Sequence, residues 1–167
     1  DGRVRVLSGA KFLAPGEPAG LYMHDLRLGL SSAAFDFHFG ASVYASADLN
    51  GDGVGDIIAG APSYTVLSGF NVYNRGAVAV FSGATGARMA LLSGSNTDRL
   101  GDAPSLVLDD YDSDGFPEFL VAGSLADANG VDSGVIKSVR LFPATPTGYC
   151  TTKVNSQGCS PAISWSG

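Results

Sequence analysis

The same acidic loop occurs twice in this chain, and this repetition constrains the fold more than any other feature. The first copy runs from Asp48 to Asp56, and the second runs from Asp110 to Glu118, 62 residues later. In each copy, oxygen-bearing side chains occupy loop positions one, three, five and nine, and a glycine occupies position six. A repeat of this length built from short strands is typical of a radial or stacked β array.

Each loop has the residue types of a calcium site. Calcium takes about six to eight oxygen ligands, and acidic residues at alternate positions before a glycine turn direct several oxygens to one centre. The alternative is a solvated turn rich in Asp and Gly, which a second loop in the same register disfavours. The sequence therefore predicts two Ca²⁺ sites, with these ligands (the carbonyl at position seven, the side chain elsewhere): Asp48, Asn50, Asp52, Val54 and Asp56 in the first loop, and Asp110, Asp112, Asp114, Phe116 and Glu118 in the second.

Short strands account for most of the remaining pattern. The segment 2–9 matches 76–83, and its alternation predicts Val4 and Val6 inward with Arg3 and Arg5 outward, as in a half-buried antiparallel strand. Residues 134–142 resemble a third, degraded copy. The apolar runs after the two loops predict buried strands. Only the segment 21–30 favours one or two turns of helix, so we expect an all-β fold.

The composition excludes two classes of partner. Hydrophobic residues make up 45% and charged residues 16%, which is typical of a globular chain. The net charge of −6 argues against nucleic acid, which attracts basic surfaces. No apolar run approaches the roughly eighteen residues that a membrane-spanning helix needs. We therefore expect neither nucleic acid binding nor a membrane span.

The two cysteines indicate the compartment. Cys150 and Cys159 lie in a polar stretch with no His or further Cys nearby to complete a four-ligand zinc site. A local disulfide is the better interpretation, and it implies an oxidising setting that is secreted, extracellular or at the cell surface. The chain has neither an initiator Met nor a signal peptide, which favours a processed or excised segment.

Three signatures in order carry a family resemblance. Phe39-Gly40, the loop from Asp48 to Asp56, and Gly60-Ala61-Pro62 together resemble the FG-GAP repeat of integrin α-subunit β-propellers and their bacterial secreted relatives. The resemblance covers about residues 1–142, with full repeats at about 32–84 and 92–142. The second repeat departs from the pattern, with Leu100-Gly101 and Ala122-Gly123-Ser124 at the corresponding places. The resemblance implies a partial β-propeller of two to three blades, with calcium held in loops between strands. A Pro/Ser/Thr-rich tail follows at 143–167.

The number of blades bears on the partners. A propeller closes with about four to eight blades, so we expect this segment either to self-associate as a ring or filament or to complete a larger propeller. The expected role is non-catalytic: adhesion or extracellular assembly, with a protein or a glycan as ligand. The segment 11–38 is longer than its counterpart in the next repeat. It either builds a binding surface or packs its aromatic residues on the blade that carries it, and we favour the second.

The competing interpretation is a calcium-dependent carbohydrate-active enzyme, similar to a polysaccharide lyase, or its carbohydrate-binding module. The sequence offers little for it, since no Gly-x-Ser-x-Gly elbow and no phosphate-binding glycine loop is present. A Ser–His–Asp arrangement remains open, because such triads assemble in space. The only histidines available to such an arrangement are His24 and His38. The basic candidates beside an acidic sugar, whose ordinary role would be surface charge, are Arg27, Arg75, Arg88 and Arg99.

Overall fold

The computed structural model describes residues 2–8, 22–28, 37–68, 71–95, 97–103, 105–111, 113, 115–127, 130–144 and 148–150. The described residues form thirteen strands and no helix, which confirms the all-β prediction: β1 Val4–Leu7, β2 Tyr22–Leu26, β3 Ser42–Ala45, β4 Ile57–Ala61, β5 Thr65–Ser68, β6 Asn71–Asn74, β7 Ala77–Phe81, β8 Arg88–Ser93, β9 Leu106–Val107, β10 Glu118–Gly123, β11 Val135–Arg140, β12 Phe142–Ala144 and β13 Gly148–Cys150. The described residues contain no helix that is long and apolar enough to cross a membrane.

One local prediction was wrong. The segment 21–30 was expected to form a turn or two of helix, but Tyr22–Leu26 is strand β2. This strand pairs antiparallel with β1, with Val4 opposite Leu26 and Arg5 opposite Asp25. The pairing with β1 satisfies the backbone hydrogen-bonding groups of this segment and overrides its weak local preference for helix.

The strands form three antiparallel sheets along the chain and two small hairpins. Sheet 1 is β1-β2, sheet 2 is β3-β4-β7-β8, and sheet 3 is β11-β10-β9. The hairpins are β5-β6 and β12-β13. Sheet 3 repeats the first three strands of sheet 2 in the same register, because Gly60 pairs with Val78 in sheet 2 and Ala122 pairs with Ile136 in sheet 3.

Two apolar layers hold the three sheets together. In β7, Ala77, Ala79 and Phe81 belong to the layer shared with sheet 1. The alternate residues Val78 and Val80 belong to the layer shared with sheet 3. All five are at most 2% exposed, so β7 is buried on both faces and reads in sequence as a continuous apolar run.

An apolar residue followed by glycine joins each sheet to the sheet before it. Phe39 and Leu100 are 5% and 0% exposed, and the glycines that follow them have nearly equal positive φ, 89° at Gly40 and 88° at Gly101. The N–H of Gly40 donates to the Gly60 carbonyl at 2.9 Å. The N–H of Gly101 donates to the carbonyl of Ala122 at the same distance. We call these two elements, Phe39-Gly40 and Leu100-Gly101, the apolar-Gly turns.

We expect Ser42→Ala to lower the free energy of unfolding by about 1–2 kcal/mol, because it removes a buried donor to the second apolar-Gly turn. The hydroxyl of Ser42 donates to the Gly101 carbonyl at 2.8 Å, and the residue is 8% exposed. Ser46→Ala is the matched control, since its hydroxyl makes only an exposed bond to the adjacent residue's carbonyl. Equal urea midpoints for the two variants would contradict this role of Ser42.

Candidate metal centre

Both acidic loops connect the first two strands of a sheet. The loop from Asp48 to Asp56 joins β3 to β4, and two backbone bonds extend the hairpin into it: Ser46 N–H to the Asp56 carbonyl at 2.7 Å, and Asp56 N–H to the Ala47 carbonyl at 3.2 Å. The second loop joins β9 to β10 in the same way. Leu108 N–H donates to the Glu118 carbonyl at 2.8 Å, and Glu118 N–H donates to the Asp109 carbonyl at 2.9 Å.

Asp48 organises the first loop through its carboxylate. Oδ1 accepts N–H bonds from Asn50 at 3.2 Å, Gly51 at 2.7 Å and Asp52 at 3.1 Å. Oδ2 accepts the N–H of Gly53 at 2.6 Å. The chain can wrap around one carboxylate because Gly51 and Gly53 take φ of 79° and 86°, a region that other residues seldom adopt.

Asp56 closes the first loop from the other side. It is fully buried, and its Oδ2 accepts the N–H of Leu49 at 2.8 Å. Its Oδ1 accepts the N–H of Gly83 at 3.0 Å, from the turn between β7 and β8. This carboxylate therefore ties the loop to a second hairpin of the same sheet.

The second loop reproduces the two defining bonds, 62 residues along the chain. Asp110 Oδ2 accepts the N–H of Gly115 at 2.9 Å, as Asp48 does from Gly53. Glu118 Oε2 accepts the N–H of Tyr111 at 2.8 Å, as Asp56 does from Leu49. Gly115 also has a positive φ, 94°. Asp112 and Asp114 lie outside the described residues.

In the first loop, the negative charges of Asp48 and Asp52 act on the buried carboxylate of Asp56. Burial raises the pKa of Asp56; the N–H groups of Gly83 and Leu49 oppose that rise, and the charges of Asp52 and Asp48 add to it. At Asp48, burial also raises the pKa, but its four backbone donors together bring it below the ordinary value. The fold therefore favours the ionised form of Asp48, whereas burial and neighbouring charges disfavour the ionised form of Asp56. A bound cation would stabilise the ionised form of Asp56.

Two observations bear on whether calcium fits. Within the described part of the chain, no three His, Cys, Asp or Glu side chains are gathered closely enough to hold a metal ion. In the second loop, Glu118 is 5% exposed and its Oε1 has no hydrogen-bond partner among the described residues. A buried carboxylate oxygen of this kind is costly unless a proton or a cation satisfies it. The donor chemistry fits calcium, while the carboxylates of the first loop are engaged with backbone N–H groups.

The predicted carbonyl ligands are less constrained by the fold. Val54 is 43% exposed, and its N–H donates to Asp52 Oδ1 at 2.9 Å. Phe116 lies at the corresponding place in the second loop and is half-buried. Both carbonyls belong to loop backbone near the predicted side-chain ligands.

Sequence reasoning missed one side-chain partner of the first loop. The hydroxyl of Ser82 donates to Asp52 Oδ2 at 3.3 Å, and its neighbour Gly83 supplies the donor to Asp56. The available signal was the Ser-Gly pair that follows the strand in both 2–9 and 76–83. Only the fold shows that this Ser-Gly pair contacts the loop, because the turn lies 26 residues beyond the end of the loop.

The candidate histidines of an enzyme occupy structural positions. His24 Nε2 lies 2.9 Å from the Gly83 carbonyl, which joins sheet 1 to the β7–β8 turn. His38 Nδ1 lies 2.8 Å from the Ser63 hydroxyl. Beside it, Phe37 packs on Tyr64 with ring centroids 5.2 Å apart, so this described end of the segment 11–38 packs on its own repeat.

The candidate arginines do not converge on one described site. Arg27 pairs with Asp25 at 3.1 Å on sheet 1, and both are exposed. Arg88 donates to the carbonyl of Leu28. Arg99 adopts a φ of 54° just before the second apolar-Gly turn, where Leu100 N–H donates to the Arg75 carbonyl at 3.1 Å.

The predicted disulfide lies outside the described residues. Cys150 ends strand β13, but Cys159 is not among the residues that the structure describes. The bond therefore remains a prediction.

Comparison with known proteins places the first repeat. A search of curated proteins gave no match to the chain. The family model for the FG-GAP repeat matches residues 39–81, which run from the first apolar-Gly turn through the acidic loop and β4 to the end of β7. The match and the shared register with sheet 3 agree on the unit that repeats. The segment 39–81 is therefore similar to the FG-GAP repeat, as the order of its three signatures predicts.

Proposed function

We propose that this chain is a calcium-stabilised, non-catalytic module of FG-GAP repeats that acts outside the cell in adhesion or assembly. The repeat itself is of a kind found in β-propeller binding and structural modules. The observation that carries the calcium proposal is the pair of matched loops, in which the same carboxylate-to-backbone bonds recur and Glu118 Oε1 is buried without a partner among the described residues.

Calcium in these loops would have a structural role. The ion would offset the repulsion among the carboxylates and hold each loop against its sheet. The proposed donors are those predicted from the sequence, five in each loop. Extracellular sites of this kind bind calcium at about 10⁻⁴–10⁻³ M, which suits a constitutively bound ion and not a sensor.

The proposed partners follow from the sheets. The described residues form three sheets joined by two apolar layers, fewer than the roughly four to eight blades of a closed propeller. We propose that the module completes a larger propeller or associates with copies of itself, and that the finished array binds a protein or a glycan. The extracellular setting rests on the predicted pairing of Cys150 with Cys159.

Isothermal titration of the whole chain with Ca²⁺ tests the proposal, and we expect two binding events. The second loop has four carboxylates, whereas the first has three and an amide, so the second should bind more tightly. Asp114→Asn should weaken the tighter event about tenfold, and Asp52→Asn should weaken the other, because each removes one charge. Asp132→Asn, an exposed residue outside both loops, is the control and should change neither.

A wild-type chain that releases no heat and shows no calcium-dependent spectral change would overturn the proposal. A weaker second loop would contradict the ordering by charge while leaving two calcium sites in place.

A further inference from the structure

We propose that His24 is a positioning residue for the first acidic loop and holds that loop in shape from the neighbouring sheet. It acts through residues 82–87, the turn between β7 and β8, which we call the β7–β8 turn. The inference rests on the proposed function, in which the first loop holds calcium, and deepens it by coupling that site to sheet 1.

On one side, the β7–β8 turn lies directly against the first acidic loop. The N–H of Gly83 donates to Asp56 Oδ1 at 3.0 Å, and the Ser82 hydroxyl donates to Asp52 Oδ2 at 3.3 Å. A Cβ built on Gly83 would lie 1.9 Å from the Gly55 carbonyl oxygen, so the two backbones are in contact. The orientation of two predicted ligands, Asp52 and Asp56, therefore depends on the position of this turn.

On its other side, the β7–β8 turn is held by His24 of strand β2. Nε2 of His24 lies 2.9 Å from the Gly83 carbonyl oxygen, and a carbonyl can only accept, so the ring donates from Nε2. The ring also lies over Gly86, where a Cβ would be 2.7 Å from Nδ1 and 2.8 Å from Cγ. Gly86 N–H in turn donates to the Ser82 carbonyl at 2.8 Å. His24 thus fixes the turn at two points, by a hydrogen bond and by ring packing.

The strand that carries His24 is itself anchored at both ends of the β7–β8 turn. Phe81, the last residue before the turn, lies in the same apolar layer as Leu26 of β2. Arg88, the first residue after the turn, donates to the carbonyl of Leu28, just beyond β2. His24 therefore approaches the turn from a fixed direction, as a positioning residue must.

The second acidic loop has no such connection within the described part of the chain. Asp56 Oδ1 accepts the Gly83 N–H, whereas Glu118 Oε1, in the residue at the matching place, is buried without a hydrogen-bond partner among the described residues. By strand register, Leu141 stands at the place of Gly83, and it is buried in the apolar layer between sheets 2 and 3. The second loop is therefore an internal control for the first.

Two consequences follow from this arrangement. Groups that orient the ligands of a metal ion typically change its affinity by about 10–100-fold when they are removed. Coupling between two sites is reciprocal, so calcium in the first loop should also hold sheet 1 more firmly against the turn. His24 and the β7–β8 turn lie outside the segment 39–81 that the FG-GAP family model matches, so the match does not describe this coupling.

The test compares two replacements of His24 by isothermal titration of the whole chain with Ca²⁺. His24→Phe keeps a ring over Gly86 but removes the donor, and it should weaken binding to the first loop about tenfold. His24→Gln keeps a side-chain N–H donor and should stay close to the wild type. Binding to the second loop should be unchanged in both variants. Asp52→Asn identifies which binding event belongs to the first loop.

The other histidine supplies the matched control. His38 Nδ1 contacts the hydroxyl of Ser63, which lies beyond the other end of β4 from the acidic loop, so His38→Phe should change neither binding event. In the wild type, Ca²⁺ should shift the nitrogen resonance of His24 Nε2 and leave the ring nitrogens of His38 unchanged. A ring that only fills space would give no such selective shift.

Equal first-loop affinities in the wild type and His24→Phe would overturn the inference, as would a His24→Gln variant as weak as His24→Phe. A loss shared equally by both loops would also overturn it, because His24 would then stabilise the fold in general. Two unaltered calcium events in His24→Phe would refute only the positioning role and leave the proposed function in place. A wild-type chain with no calcium event would refute both.

Discussion

Gly76→Ala is expected to lower the free energy of unfolding by about 3–5 kcal/mol, which is a large part of the stability of an ordinary domain. Two costs combine. A Cβ at this position would lie 2.2 Å from Leu100 N and 2.4 Å from Leu100 O, and both are backbone atoms that cannot turn aside. The φ of 68° adds a further cost of about 1–2 kcal/mol for any residue with a Cβ.

Gly51→Ala separates the two costs. Gly51 has a similar φ, 79°, but a Cβ there would have no atom within 4 Å. In chelator, where calcium cannot contribute, Gly51→Ala should lose only about 1–2 kcal/mol. Urea unfolding of both variants measures the difference, which is the packing of the apolar-Gly turn on sheet 2. Equal losses would show that the backbone angle alone matters and that the close approach of Leu100 is relaxed at little cost.

Removing calcium is expected to lower the thermal midpoint of the whole chain by about 10 °C or more relative to a solution with calcium in hundredfold excess over Kd. Each site should contribute about 2.7 kcal/mol under those conditions. For a chain of this size, about 1 kcal/mol corresponds to roughly 2–4 °C. The physical cause is the burial of Asp56 and its repulsion by neighbouring carboxylates, since the pKa of Asp56 is raised by burial and by the charges of Asp52 and Asp48.

The double variant Asp52→Asn/Asp114→Asn is the control for this experiment, and its midpoint should respond much less to calcium. Sodium chloride at equal ionic strength should not replace calcium, because screening acts weakly on buried charge. A wild-type midpoint that is the same in calcium and in chelator would mean that the loops are stable without the ion, and that their backbone N–H donors suffice.

Much of the fold could be predicted because each sheet is specified by local patterns. Val4 and Val6 alternate with Arg3 and Arg5, and the structure places the valines inward and the arginines outward. The apolar runs after the loops are β4 and β10. The prediction of helix for the segment 21–30 was wrong because the apolar alternation there is short and the strand depends on pairing with β1.

The candidate site was only partly accessible from sequence. The loop positions of Asp48 and Asp110 follow from spacing, and their matching bonds to Gly53 and Gly115 are a local consequence of that spacing. The contact of Asp56 with Gly83 is different, because it joins positions 27 residues apart. Spacing within the loop contains no information about which distant turn will meet it.

The sequence by itself determined the repeat, the strand alternation and the identity of the two acidic loops, because these depend on residues that are near one another along the chain. The tertiary structure alone decided which face each strand buries and which face it leaves exposed. Val78 and Ile136 illustrate this: both are apolar residues at the same place in β7 and β11, yet one is 0% and the other 69% exposed. Among the described residues, sheet 3 packs on the face of Val78, whereas no sheet covers Ile136, so burial depends on what packs against a residue as well as on its type.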